Sequence, residues 1–306
     1  MSDLPPLPPG FRADDRPARV AALRAAIAAD EPLVMPGVAN ALTALQVEQA
    51  GFQAVYLTGA GVSNVEYGVP DIGLIGLTDM AEAIRRIALT TTIPLVVDAD
   101  TGYGGPLSVW RTVQVYENAG AAALQIEDQE MPKRCGHFDR KKIVSTDEMC
   151  AKLEAALQAR QHDTVVIART DALAVEGLDG ALARGRAYAD AGADVVFIEA
   201  PPTVEDCRTV TETLSDVPLL LNVVEGGKTP ELTAEEAGAL GYDIVLFANA
   251  LQRVMAQAAT EALAELRAAG TTQGLLDRML DWKTRQALVG TDRADALEDH
   301  LRGLDT

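Results

Sequence analysis

The chain has 306 residues, 48% of them hydrophobic and only 4% aromatic, and it carries a formal net charge of -19. That length and apolar content suit one large α/β domain with an Ala/Val/Leu-packed interior. The acidic balance argues against nucleic acid and against an anionic membrane surface as partners, because both would be repelled.

Residues 1–15 form a Pro-rich lead (Leu4-Pro5-Pro6-Leu7-Pro8-Pro9) with no apolar signal core, set apart from a single domain over 16–306. An Ala-rich helix is predicted over 16–29. Short apolar runs then recur at 32–35, 54–57, 94–97, 122–126, 164–168, 195–198, 218–221 and 244–247. Helical stretches separate most of them, at 42–50, 79–89, 109–119, 147–160, 180–191 and 204–214. Several of these helices stop at a glycine, as in Ala119-Gly120-Ala121 and Ala191-Gly192-Ala193. Glycine there supplies the left-handed turn that ends a helix. Strands that are apolar throughout, without alternation, belong to a parallel sheet buried on both faces. Eight such βα units predict a (β/α)8 TIM barrel. Further helices after Ala250, including 281–288 and 293–301, exceed what closing a barrel needs and are expected to serve oligomer contacts.

Nucleotide-loop signatures fail. Gly59-Ala60-Gly61 lacks the third glycine of a dinucleotide loop, because Asn64 stands there. Gly227-Lys228-Thr229 lacks the leading glycine of a P-loop, where Asn222 stands. The three cysteines, Cys135, Cys150 and Cys207, match no zinc spacing and leave any disulfide framework with an odd member, which suits a reducing cytoplasm.

In this architecture chemistry sits where strands end. The residues just past the apolar runs are Tyr56 with Thr58-Gly59-Ala60-Gly61, then Asp98 and Asp100, Glu127 and Asp128, Arg169 and Asp171, Glu199, Asn222 and Glu225, and Asn249. One carboxylate after a strand is often a helix N-cap, but a whole rim of polar groups predicts a site. Asp98 and Asp100, two apart on a strand, are expected to point the same way. With Glu127 and Asp71 they make an oxygen-only set suited to Mg2+ or Mn2+. Arg169 offers a planar fork for a substrate carboxylate, or else a buried ion pair with Glu199 or Glu127. Asn222, Thr58 and the backbone around Gly59 to Gly61 offer neutral hydrogen bonds. Cys135 lies in Lys133-Arg134-Cys135-Gly136-His137, where neighbouring cations favour a thiolate, on a polar loop able to close over a ligand.

Asp98-Ala99-Asp100-Thr101-Gly102-Tyr103-Gly104, Ile126-Glu127-Asp128-Gln129, Lys133-Arg134-Cys135-Gly136-His137 and Ala168-Arg169-Thr170-Asp171-Ala172 together resemble the isocitrate lyase / phosphoenolpyruvate mutase superfamily. The likeness runs from about Pro36 to Ala250. It implies a barrel whose C-terminal helix swaps between subunits of a homotetramer or dimer. It implies Mg2+ on Asp98 and Asp100, with Asp71 and Glu127 acting through water. Arg169, Asn222, Glu199 and the Thr58, Gly59, Ala60 stretch would bind a small anionic carboxylate, with Lys133 and Gly136 of the loop. Tyr56 would be a base or hydroxyl partner, Cys135 the acid, and Glu127 and His137 further catalytic groups.

The Lys-Arg-Cys-Gly-His form resembles the methylisocitrate lyase, 2,3-dimethylmalate lyase and oxaloacetate hydrolase branch rather than the phosphonate mutases, which carry Asn for Cys135. The resemblance therefore implies cleavage of a C–C bond in a 2-hydroxy di- or tricarboxylate, giving a 2-oxo acid such as pyruvate. Oxaloacetate hydrolysis is the alternative, followed by a carboxyphosphonoenolpyruvate mutase activity or a silent metabolite-binding barrel. Gln125, Gly226-Gly227 and Ala248-Asn249 depart from the methylisocitrate lyase pattern and favour a dicarboxylate.

Overall fold

Eight parallel strands alternate with helices in the computed structural model, which describes residues 4–12, 15–133 and 141–303. Helix α1 (Arg16–Ile27) leads into β1 (Leu33–Val38), α2 (Ala41–Gln49), β2 (Val55–Leu57), a short α3 (Gly59–Val65) and α4 (Leu77–Ala88). There follow β3 (Leu95–Asp98), α5 (Pro106–Ala119), β4 (Ala123–Glu127), α6 (Thr146–Ala159), β5 (Val165–Thr170) and α7 (Leu173–Asp190). The barrel ends with β6 (Val195–Ile198), α8 (Val204–Thr213), β7 (Leu220–Asn222), α9 (Ala234–Leu240) and β8 (Ile244–Phe247). Pairing runs β6-β5-β4-β3-β2-β1-β8-β7. A parallel bridge between Val196 and Leu219 joins the two ends, with Val196 N donating to Pro218 O at 2.9 Å. The expected TIM barrel is the observed fold.

Five of the eight strands extend one to three residues past the apolar runs that announce them, and β2, β6 and β8 end with theirs. The polar strand-end residues still pair in the ladder, Asp98 beside Gln125 and Glu127 beside Arg169. Hydrophobicity therefore marks where a strand is buried, not where it stops pairing. Helix α7 starts well before the predicted 180, with a break at Gly177 (φ 76°). The unforeseen α3 forms despite two glycines because Thr58 caps it, its side chain accepting from Gly61 N. A Cβ on Gly61 would lie 2.7 Å from Thr58 Cγ2, so only glycine fits there.

Side chains alternate across each strand, and this sets the site. Tyr56, Val96, Ala123, Ile167, Phe197, Leu220 and Leu246 point into the barrel, where Val20, Leu23 and Ile27 of α1 pack against the same cluster. Each buried α1 side chain of this kind stabilises by roughly 1.5–3 kcal/mol, so α1 seals one mouth of the barrel. Two residues on from these inward positions come Thr58, Asp98, Gln125 and then Glu127, Arg169, Glu199, Asn222 and Ala248. The inward columns thus run from an apolar plug to a polar rim.

Asp128 has the opposite parity and departs from the expected rim. Its buried carboxylate accepts from Thr170 Oγ1 at 2.6 Å, Asp171 N at 2.9 Å and Tyr188 Oη at 2.8 Å, with Arg184 Nη1 at 3.4 Å. It ties β4 to β5 and α7 behind the sheet. Asp128→Ala leaves the Thr170, Asp171 and Tyr188 donors without this acceptor, while Arg184 keeps Glu176 and Val144 O. At roughly 1–3 kcal/mol for a buried donor left unsatisfied, it is expected to lower the unfolding free energy by about 3 kcal/mol or more. Urea denaturation measures this, and a shift below 1 kcal/mol, about the value of a single ordinary hydrogen bond, would refute the structural role.

Candidate active site

A narrow cavity opens at the C-terminal ends of the strands, lined by Tyr56, Thr58, Ala60, Asp71, Asp98, Glu127, Lys133, Arg169, Phe197, Glu199, Asn222 and neighbours. Tyr56, Thr58, Ala60, Asp71, Asp98, Glu127, Lys133, Arg169, Glu199 and Asn222, all expected from the sequence, meet there. Gly59 and Asp100 lie against it. Cys135, Gly136 and His137 lie outside the described residues.

Asp98 and Asp100 converge, but not by the strand alternation expected of them. Strand β3 ends at Asp98, and Asp100 sits in a turn with φ 46°. The turn is held by Asp100 N donating to Asp98 Oδ1 at 3.1 Å, while Gly59 N donates to Asp98 Oδ2 at 3.2 Å. A Cβ on Gly59 would lie 3.0 Å from Asp98 Oδ2 and 3.5 Å from Asp100 Oδ1. The absent side chain leaves the space beside both carboxylates open.

Lys133 lines the cavity and pairs there with carboxylates. Its buried ammonium lies 2.5 Å from Asp71 Oδ1 and 2.8 Å from Asp100 Oδ1. Burial opposes that charge, yet Asp100, Asp98, Glu127 and Asp71 overcome the penalty and hold the lysine well above its ordinary pKa. Burial, and then the Asp98 charge, push Asp100 up to about 6 against the pull of Lys133.

In the four-carboxylate metal set, Asp71 pairs with Lys133 and Glu127 stands beside Arg169. Among the described residues no three His, Cys, Asp or Glu side chains enclose a common ion position. The reason is that Lys133 draws Asp71 aside and Arg169 draws Glu127. What remains fits a hard, water-retaining cation: two adjoining carboxylates, Asp98 and Asp100, beside a cleared space at Gly59. Mg2+ is typically held by one or two carboxylates with waters completing its shell, and the surplus negative charge here favours a cation.

Arg169 is gripped on several sides. Its Nε donates to Asp171 Oδ2 at 2.9 Å and its Nη2 to Asp171 Oδ1 at 3.1 Å. Glu127 Oε2 is 3.4 Å and Glu199 Oε2 3.7 Å away, and the guanidinium lies over the Phe197 ring, 5.2 Å from its centroid. The hydrogen-bonded partner is therefore Asp171, and the Glu127 and Glu199 pairs that the sequence suggested stand beside it at longer range. Burial alone would raise Asp171, but Arg169 and Lys141 hold its carboxyl down at about 2. The Lys141 ammonium, also buried, sits 2.6 Å from Asp171 Oδ1. Burial pushes Glu127 well above the carboxylate range, with Arg169 opposing. Its Oε1 has no hydrogen-bond partner among the described residues, and neither has Asn222 Oδ1.

Tyr56 donates to Gln125 Oε1 at 3.1 Å inside the barrel. Burial, and then the Asp98 charge, hold the phenol well above its ordinary pKa, so it stays protonated as a hydroxyl donor. Of the other strand-end residues, Glu225 turns outward to Arg253, and Asn249 accepts from Gln252 beside the cavity. Sequence reading missed Lys141 and the Arg169–Asp171 pair. The pair was discoverable, because residues two apart at a strand end share a face. Nothing in Lys141-Lys142 distinguishes the buried lysine from its neighbour.

A family model described as phosphoenolpyruvate phosphomutase matches residues 23–267. The chain belongs to that family. It is 40% identical over 279 residues to 2,3-dimethylmalate lyase of Eubacterium barkeri, covering 91% of this chain and 96% of the relative. A probable 2-methylisocitrate lyase of Corynebacterium glutamicum is 41% identical, covering 92% of each chain. Among solved structures, oxaloacetate acetylhydrolase with 3,3-difluorooxalacetate superposes with a TM-score of 0.88 at 36% identity, covering 97% of this chain and 98% of that one. A phosphonopyruvate hydrolase complex with oxalate and Mg2+ has a TM-score of 0.83 at 34% identity, covering 92% and 98%. The chain is a carbon–carbon lyase of the phosphoenolpyruvate mutase / isocitrate lyase superfamily. No helix among the described residues is long and apolar enough to cross a membrane.

Proposed function

We propose that this lyase cleaves a small 2-hydroxy di- or tricarboxylate, of the 2,3-dimethylmalate or 2-methylisocitrate type, into a 2-oxo acid such as pyruvate and a second carboxylate. The observation that carries the reading is one cavity lined by a guanidinium, a protonated phenol and a cluster of carboxylates. Arg169 orients a substrate carboxylate. With substrate bound, Tyr56 would turn its one hydroxyl proton from Gln125 Oε1 to the substrate's C2 oxygen. Glu127 Oε1 lines the cavity and lacks a hydrogen-bond partner; we assign it as acceptor of the 2-hydroxyl proton. The C2–C3 electron pair then passes to C3, where the neighbouring carboxylate spreads the charge, and Cys135 delivers a proton there. Asp98 and Asp100 would hold Mg2+ or Mn2+, which supplies Lewis-acid stabilisation of developing negative charge. Asp71 would act through water.

Gln125 puts a neutral amide, wholly buried, beneath this cavity. With the neutral Asn222 it offers no charge for a third carboxylate, which favours a dicarboxylate. The likeness to oxaloacetate acetylhydrolase supports a second reading, hydrolysis of oxaloacetate to oxalate and acetate. Separate incubations with 2,3-dimethylmalate, 2-methylisocitrate and oxaloacetate in Mg2+ decide between them. Pyruvate from either hydroxy acid is the expected result, and oxalate from oxaloacetate would favour the second reading. No turnover of any of the three would overturn both.

A homo-oligomer, in the cytoplasm, completes the proposal. Helix α10 (Ala250–Ala269) buries none of its twenty residues and exposes Val254, Met255, Leu263 and Leu266. Past its end lie a 3-10 turn (Gln273–Arg278), α11 (Trp282–Val289) and α12 (Thr291–Leu301). Where α10 leaves the barrel, a groove of about 480 Å³ is lined by Val34, Pro36, Val47, Phe52 and Phe247. An exchanged C-terminal helix from a second copy suits both surfaces.

A further inference from the structure

We propose that Lys141 is a positioning residue for substrate binding, acting through Asp171 to keep the Arg169 guanidinium available to an anionic ligand. The inference rests on the reading of Arg169 as the group that binds a substrate carboxylate. Lys141 itself does not line the cavity.

The argument is one of charge. Asp171, Glu127 and Glu199 all stand within 4 Å of the Arg169 side chain. Three carboxylates around one guanidinium leave a surplus of negative charge where a dianionic substrate must enter. Lys141 is the cation that offsets part of it, with its Nζ 2.6 Å from Asp171 Oδ1, an oxygen that also accepts from Arg169 Nη2 at 3.1 Å. Both Lys141 and Asp171 side chains are almost wholly buried, at 2% and 0% exposure, so water screens this pair little.

Without Lys141, the whole Asp171 charge falls on Arg169. The guanidinium is then drawn toward Asp171, and the pocket repels an incoming anion. A lysine is also flexible enough to meet Asp171 from outside while leaving the planar Arg169 fork in place over Phe197. The two cations therefore have different tasks: Arg169 faces the ligand, and Lys141 neutralises the residue that holds Arg169.

The test is oxalate binding by calorimetry in Mg2+, with kcat and KM on whichever acid the parent protein turns over. Lys141→Met is expected to weaken oxalate binding and raise KM by about 10- to 100-fold, the usual range for residues supporting a ligand-binding group. Its kcat should stay within about threefold, because ground-state binding is what is lost. Lys141→Arg should restore most of the affinity. Parental oxalate affinity in Lys141→Met, or an arginine variant no better than the methionine one, would overturn the proposal. If Lys141→Met does not fold, the Lys141→Met/Asp171→Asn pair is compared with Asp171→Asn alone. Equal oxalate affinity is expected, since Lys141 acts only through the Asp171 charge; a further loss in the pair would overturn it. Arg169→Lys separates this inference from the reading beneath it. Undiminished oxalate binding there removes Arg169 as ligand. Loss there with none in the Lys141 variants removes only the relay.

Discussion

Asp100→Asn is expected to lower kcat/KM by about 10³-fold and to abolish the rise in Tm expected of the parent protein in Mg2+. The fold-change corresponds to about 4 kcal/mol of transition-state stabilisation, within the several kcal/mol a bound cation supplies. The substitution is a clean one. Asp100 sits at φ 46°, a left-handed conformation that asparagine also tolerates. Its backbone bonds, N to Asp98 Oδ1 at 3.1 Å and O accepting from Glu127 N at 2.8 Å, need no carboxylate. The variant therefore removes a charge, and with it the ion pair to Lys133 Nζ at 2.8 Å, while leaving the backbone turn in place. A ligand that binds only the folded state raises Tm by mass action, so thermal melts with and without Mg2+ read the cation directly, apart from catalysis. Asp71→Asn is the comparison. Asp71 touches Lys133, which keeps its contact with Asp100, so the Mg2+ response should survive there. A normal Mg2+ response in Asp100→Asn would remove Asp100 from the cation site.

The barrel was legible because it follows from short-range rules. Strands buried on both faces are apolar without interruption, and helices stop at glycines such as Gly120, which adopts φ 108°. The rim was legible too, since two-residue alternation carries the inward columns to Asp98, Glu127, Arg169 and Glu199. What sequence could not supply was the pairing of charges across loops. Lys133 reaches Asp71, 62 residues away, and Lys141 reaches Asp171, 30 residues away. Such contacts depend on how loops cross over the barrel mouth, for which no local pattern exists. The same limit explains Asp100. Its convergence with Asp98 was foreseen, but by a strand geometry that stops two residues too soon. The carboxylates meet because a turn and a glycine bring them together.

Cys135→Ser should bind Mg2+ and oxalate as the parent does, yet lose cleavage by about 10²- to 10⁴-fold, the range expected for removing a general acid. Cys135 lies outside the described residues, but the chain on each side of it is fixed at the site. Lys133 joins Asp71 and Asp100, and Lys141 joins Asp171. A thiol of ordinary pKa near 8.5 gives up a proton far more readily than a serine hydroxyl. Protonation of the carbanion left by C–C cleavage is therefore the step that serine slows. If Cys135 were instead a binding group, serine would weaken oxalate affinity and leave kcat largely intact. If it were a bystander, neither would change. Running the parent reaction in D2O adds an independent reading, because the proton delivered at C3 must appear as deuterium in the carboxylate product. Undiminished cleavage by Cys135→Ser, with deuterium still incorporated, would assign the proton to another donor.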